Sequence, residues 1–312
     1  MKAFEAVHVK VHLLLLILLP LGLVTSQGSA HPRSLLSQAE KLSCSTSPVD
    51  KNFGKTKLWD GYEVSVGPTG HFEDNSGADD ACTAAIYDPS GREVYRTTGP
   101  GVRLDPSTGM DIDGDGAPDV VLMNGASGGS GGSWEIEVIS LKPMPHLLFK
   151  FEIGFPSAPF KRDSQQRVVL WSRELSDDLA AAYGWPNAAR PGAQRIYRLV
   201  DGKLVDVTAE HCSEVEAGEP FQKLERKLTP EAVEKFKTTE NLADVDPNTA
   251  QTGGRVLSLI LQRIFCHRFD QGLDAIHQMW PPRDQANLIR NIKEVSKNWN
   301  CPECARQVEQ WR

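Results

Sequence analysis

A nine-residue stretch, Asp111-Ile112-Asp113-Gly114-Asp115-Gly116-Ala117-Pro118-Asp119, constrains this chain more than any other part of it. Carboxylates fall at its first, third, fifth and ninth positions. Acids packed this closely repel one another unless a cation sits among them. A hard divalent ion resolves the conflict, because Ca²⁺ takes oxygen ligands and tolerates flexible geometry. The spacing therefore predicts a calcium loop with Asp111, Asp113, Asp115 and Asp119 as side-chain ligands. Gly116 stands where such loops turn sharply, and the carbonyl of Ala117 is placed to supply a backbone ligand.

The flanks say which kind of calcium loop this is. An EF-hand needs a bidentate Glu at its twelfth position and a helix on each side. Here that position is Leu122, inside the apolar run Val120-Val121-Leu122-Met123, which reads as a buried strand. A Gly/Ser stretch follows, and then Trp134 to Ile139 alternates as a second strand. With strands as neighbours, residues 107–141 resemble the FG-GAP (VCBS-type) repeats of integrin α-chains and of many exported bacterial proteins. The resemblance implies the same ligands: Asp111, Asp113, Asp115, Asp119 and the Ala117 backbone. Such repeats usually come in sets that close a propeller. The chain carries one good copy, so a sandwich or a partial propeller-like sheet is expected in place of a closed ring.

The rest of the sequence sets the context. Residues 1–30 read as an export signal: Lys2 and Lys10 precede an apolar run from Leu13 to Val24, and Gly28-Ser29-Ala30 offers small residues for cleavage. No later stretch is apolar for long enough to span a bilayer, so no membrane association is expected once the signal is removed. The chain holds 34 basic and 41 acidic residues, a net charge of −7, with no Lys/Arg cluster interleaved with aromatics. That balance argues against nucleic acid as a partner, since phosphate contact needs a basic face. All six cysteines lie beyond the signal. An even count in an oxidising compartment points to disulfides, of which about 15 connectivities are possible. The pairing taken forward is Cys44–Cys82, Cys212–Cys266 and a local Cys301–Cys304.

The composition divides the chain in two. Residues 31–57 are polar and mixed, and read as a linker. Residues 58–211 are rich in strand patterns, among them Tyr62 to Val66, Cys82 to Tyr87, Arg92 to Arg96, Leu147 to Ile153 and Arg167 to Trp171. Asp201-Gly202, between Ile196-Val200 and Lys203-Val207, is the strongest hairpin signal. Beyond Cys212 the pattern turns helical. Thr229-Pro230-Glu231 is a helix start, expected to run to about Glu240. Leu257, Ile260, Leu261, Ile264 and Phe265 mark one amphipathic helix, Gly272 to Met279 a second and Leu288 to Trp299 a third. Phe269-Asp270, Ala275-Ile276 and Pro281 weakly resemble a tetratricopeptide-like hairpin. The expected class is α+β: an antiparallel β-rich domain (58–211) followed by a small α-helical domain (218–312).

Three further patterns bear on chemistry. Gly125-Ala126-Ser127-Gly128-Gly129 and Gly128-Gly129-Ser130-Gly131-Gly132 both fit the nucleophile-elbow pattern, which requires strand, turn and then helix. The strand pattern that follows argues against it. Cys301-Pro302-Glu303-Cys304 has redox spacing at a helix start, but no βαβ pattern surrounds it. His267, Asp270, Asp274 and His277 read as exposed polar residues. The reading that results is an exported protein, periplasmic or secreted, with a structural calcium and a binding or scaffolding role toward a protein or saccharide partner. Its rival is a secreted enzyme, either a serine hydrolase or a thiol–disulfide protein.

Overall fold

The computed structural model describes residues 42–45, 53–69, 81–125, 134–154 and 159–312. The expected signal (1–30) and the serines of the Gly/Ser stretch (126–133) lie outside the described residues. The strands are β1 (Ser43–Ser45), β2 (Gly54–Lys57), β3 (Glu63–Pro68), β4 (Cys82–Tyr87), β5 (Glu93–Gly99), β6 (Gly101–Leu104), β7 (Asp119–Gly125), β8 (Trp134–Ser140), β9 (His146–Ile153), β10 (Phe160–Arg162), β11 (Val168–Leu175), β12 (Gly192–Val200) and β13 (Lys203–Asp206). They form three open antiparallel sheets, ordered β1-β6-β7-β8-β9, β2-β3-β4-β5 and β10-β11-β12-β13. β1 and β2 fall within the stretch read as a linker, so its described residues, 42–45 and 53–57, are part of the fold.

The five-stranded sheet is the middle layer. Successive side chains on a strand point to opposite faces. On one face Val120, Leu122 and Ile139 pack against Val64, Val66, Ala84 and Ile86 of the β2–β5 sheet. On the other, Val121, Met123, Ile136 and Val138 meet Phe160, Leu170 and Tyr197 of the third sheet. This explains why β7 is apolar without alternation: Val120 to Met123 are all fully buried. Each such burial contributes roughly 1.5–3 kcal/mol.

The Asp201-Gly202 signal is realised. Both residues adopt left-handed φ, 49° and 73°, and Val200 pairs with Lys203, as a two-residue hairpin requires. The helices are α1 (Asp177–Ala181), α2 (Cys212–Ala217), α3 (Glu219–Lys227), α4 (Pro230–Lys237), α5 (Pro247–Phe265), α6 (Phe269–Met279), α7 (Gln285–Ser296) and α8 (Pro302–Glu309). The Thr229 hydroxyl caps α4 by accepting from Ala232 N at 3.3 Å. The protein is therefore α+β: α1 lies between β11 and β12, and the other seven helices of the described residues follow the last strand.

Helix α5 welds the two parts together. β13 pairs only with residues 197–200 of β12, which leaves the first half of that edge without a neighbour. Ser258 Oγ accepts from Gly192 N at 3.0 Å, and the Gln262 amide bonds both Gln194 N (2.8 Å) and Gln194 O (3.1 Å). Two side chains, about one helical turn apart, thus stand in for a missing strand. On the far side of α5, Trp185, Phe236 and Trp280 form an aromatic cluster with Tyr183. Its polar atoms are satisfied: Trp185 Nε1 donates to Leu242 O, and Trp280 Nε1 and the Tyr183 hydroxyl both donate to Asp284 Oδ2, each at 2.8 Å.

The three disulfides are Cys44–Cys82, Cys212–Cys266 and Cys301–Cys304, with Cα–Cα distances of 5.6, 5.6 and 5.3 Å. The first ties the middle sheet to the β2–β5 sheet. The second ties α2 to the end of α5, across the boundary at which the sequence changes character. Among the described residues, no helix is long and apolar enough to cross a membrane.

Candidate metal centre

The acidic loop leaves the end of β6 and returns at the start of β7. Its neck is closed by the backbone: Gly109 N donates to Asp119 O, and Asp119 N donates to Met110 O, both at 2.8 Å. Thr108 adds a clamp, its hydroxyl bonding both Val121 O and Val121 N. Ile112 and Ala117 turn inward and are buried, which anchors the loop at two points. Gly114 and Gly116 have φ of +81° and +85°, where a side chain would be strained.

This scaffold brings three of the four acids together. One carboxylate oxygen from each of Asp111, Asp113 and Asp115 lies within 4.8 Å of the others. Their remaining capacity is spent on the loop's own backbone. Asp111 accepts from Gly114 N (2.7 Å) and Gly116 N (3.1 Å), Asp113 from Asp115 N (3.0 Å), and Asp115 from Ala117 N (2.6 Å). Burial pushes the Asp113 carboxyl above its usual range, and the charges of Asp115 and Asp111 push the same way.

Asp119 stands outside that trio and is fully buried. Its Oδ2 accepts from Ile112 N at 2.7 Å. Its Oδ1 has no hydrogen-bond partner among the described residues. Burial pushes this carboxyl up to about 7, partly opposed by the backbone N–H groups of Ile112 and Asp113 and reinforced by the charges of Asp113 and Asp115; the Asp113 N–H is too poorly aligned to count as a hydrogen bond. Leaving a buried polar atom unpaired costs about 1–3 kcal/mol, and more for a charged group. Asp105, at the root of the loop, is buried as well and has an unpartnered Oδ2. The sequence pattern does not single out Asp105. A donor set of clustered carboxylates with an unsatisfied buried oxygen is chemically suited to a hard divalent cation.

The other candidate residues fall elsewhere. Gly125 pairs with Trp134 as β7 passes into β8, so the Gly/Ser stretch joins two antiparallel strands, whereas a nucleophile elbow leads into a helix. His267 precedes α6, with φ of +57°, and does not share the helical face of Asp270, Asp274 and His277. It lies beside the Cys301–Cys304 bridge instead, with Nε2 3.8 Å from Cys301 Sγ. No sequence spacing signals that approach.

No family model and no curated protein sequence matches the chain. Among solved structures, it is similar to a periplasmic lysozyme inhibitor of I-type lysozyme from Aeromonas hydrophyla. The identity is 17%, over 33% of this chain and 88% of that one, with a TM-score of 0.23. At that score the likeness defines neither a fold nor a partner.

Proposed function

We propose that the 111–119 loop holds one calcium ion as a structural element of an exported binding or scaffolding protein. The observation that carries this reading is the buried, unpartnered Oδ1 of Asp119 beside the Asp111-Asp113-Asp115 trio. The carboxylates of Asp111, Asp113, Asp115 and Asp119, with the Ala117 carbonyl, would hold the ion. It would cancel the repulsion among the acids and pin the entry to β7, the strand buried on both faces of the middle sheet. The FG-GAP-type pattern supports the same ligand set. Three disulfides fit an oxidising compartment, periplasmic or external. The binding role draws support from β9, which ends the strand order of the middle sheet. Leu147 is exposed on it, at 39%, and Met144 in the turn just before it, at 73%. An open sheet edge with exposed apolar side chains beside it suits a protein or saccharide partner.

The test is thermal unfolding of the mature chain with calcium and with chelator. A ligand selective for the native state adds about 2.7 kcal/mol at roughly 100 times its Kd. Calcium is therefore expected to raise Tm by several degrees, and Asp113→Ala to abolish the rise. Equal midpoints with calcium and with chelator would sink the proposal.

The pH dependence carries a definite sign. In the calcium-free protein, the folded-state value of Asp119 lies above its unfolded value. This group's contribution to stability is therefore greatest below the unfolded value and declines as pH rises through about 7. Calcium needs the ionised form, so protons compete with it. With one such proton, calcium affinity is expected to fall by up to about tenfold per pH unit below pH 7. Calcium titrations from about pH 8 down to about pH 5 check this. A flat affinity over that range would show that Asp119 is not a ligand.

A further inference from the structure

We infer that Cys301 and Cys304, with His267, form a thiol–disulfide exchange site that oxidises dithiols. The inference is independent of the calcium reading. It rests on the asymmetry of the two sulfurs and on what surrounds them.

Cys304 is fully buried, and its Sγ lies 3.7 Å from Ile264 O. Cys301 keeps a small exposure of 6% and lies beside His267, which is exposed. Cys301 is therefore the nearer of the two to the surface, and access helps decide which sulfur is attacked in disulfide exchange. Cys301 is also the N-cap of α8, and its Sγ accepts from Cys304 N at 3.2 Å. A thiolate left at that position is stabilised by the backbone N–H, by the positive end of the helix and by an imidazolium. The ring of His267 is held in place by stacking on Phe269, with centroids 5.5 Å apart. These features favour the reduced form, and a stabilised reduced form makes the disulfide an oxidant. The bridge itself closes a sequence separation of only 3, against 38 and 54 for the other two. In the loop-closure account, short loops gain least from cross-linking.

The exchange balances as follows. One thiolate of an incoming dithiol attacks Cys301 Sγ, the Cys301–Cys304 bond breaks, and Cys304 leaves as a thiolate that takes up the first thiol's proton. The second thiol of the incoming molecule gives its proton to His267 and attacks its own sulfur in the mixed disulfide. Cys301 then leaves as a thiolate facing the imidazolium and the Cys304 N–H. Two thiols have become one disulfide, one disulfide has become two reduced cysteines, and both protons are accounted for.

The test equilibrates the folded, full chain in glutathione buffers of increasing reduced fraction, then alkylates free thiols and counts them by residue in a mass spectrometer. Cys301 and Cys304 are expected to titrate together while Cys44–Cys82 and Cys212–Cys266 remain closed. If Cys301 and Cys304 open only with the other bridges, the inference is overturned. As a second measurement, Cys304→Ser is mixed with oxidised glutathione and is expected to trap a mixed disulfide on Cys301. Adding His267→Ala is expected to slow that trapping several-fold. Absence of the adduct in a folded Cys304→Ser protein, or an unchanged rate without His267, would assign the bridge to a structural role.

Discussion

Replacing Arg195 by methionine is expected to lower the unfolding free energy by about 3 kcal/mol, the lower end of the range for removing one member of a buried ion group. Arg195 lies on β12 and is 1% exposed. It donates to Glu174 Oε2 (2.6 Å), to Asp206 Oδ2 through two nitrogens, and to Asn300 O (2.9 Å). Its guanidinium also lies over the rings of Tyr197 and Phe265, 5.1 and 4.4 Å from their centroids. Methionine keeps much of the volume, but it strands Oδ2 of Asp206, a carboxylate only 12% exposed, whose Oδ1 keeps its bonds from Thr208. Glu174, at 30%, regains some water, which is why the lower end of the range is expected. Lysine should not rescue the loss, because a single ammonium cannot reproduce a planar fork that reaches three residues. Chemical denaturation measures both variants. A loss below about 1 kcal/mol would mean that the group behaves as a surface network. The same variant frees the Asn300 carbonyl, next to Cys301, so it should also speed reduction of Cys301–Cys304.

Much of the architecture is written in local pattern, and the missing parts share a cause. The Asp201-Gly202 hairpin and the Thr229 cap depend on a few adjacent residues, and both are legible. The division into a β-rich part and a helical part is legible too. The layering is not. Val120 to Met123 reads as a buried strand, but which sheet covers each face depends on partners far along the chain. β1 and β2 are too short and polar to stand out, yet pairing makes them strands. Helices α2 and α3 are short, and the sequence pattern does not single them out. Helix α4 stops at Lys237, short of the expected Glu240. At the candidate centre, the spacing of the acids is visible in the sequence, whereas the unpartnered oxygen of Asp119 is a property of packing. His267 meets Cys301 across 34 positions of sequence, and only the fold of the helical part brings them together.

Helix α5 shows the same lesson with the sign of an effect at stake, and Gly254→Ala is the substitution that tests it. The apolar stripe from Leu257 reveals only the second half of α5, because Gly253 and Gly254 interrupt the helical pattern. Helix propensity alone favours alanine over glycine by roughly 1 kcal/mol in a helix interior. At Gly254, however, a Cβ would lie 2.0 Å from the Ala189 carbonyl oxygen and 2.9 Å from its carbon. These are backbone atoms, so no rotamer change relieves the clash. The adjacent Gly253 faces the rings of Trp185 and Phe236, at 2.4 and 2.8 Å, and is equally closed. Overpacking typically costs about 1–3 kcal/mol and occasionally more, which outweighs the propensity gain. Gly254→Ala is therefore expected to destabilise by about 2–3 kcal/mol. Gly272, in α6, provides the contrast: a Cβ there meets Trp311 no closer than 3.4 Å, an ordinary contact. Gly272→Ala should be neutral or stabilise by up to about 1 kcal/mol. Denaturant melts of the two variants separate the explanations. If Gly254→Ala stabilises as Gly272→Ala does, α5 does not press against Ala189, and the strand-like bonding of Ser258 and Gln262 to β12 fails with it, because that close approach is what places both side chains at the sheet edge.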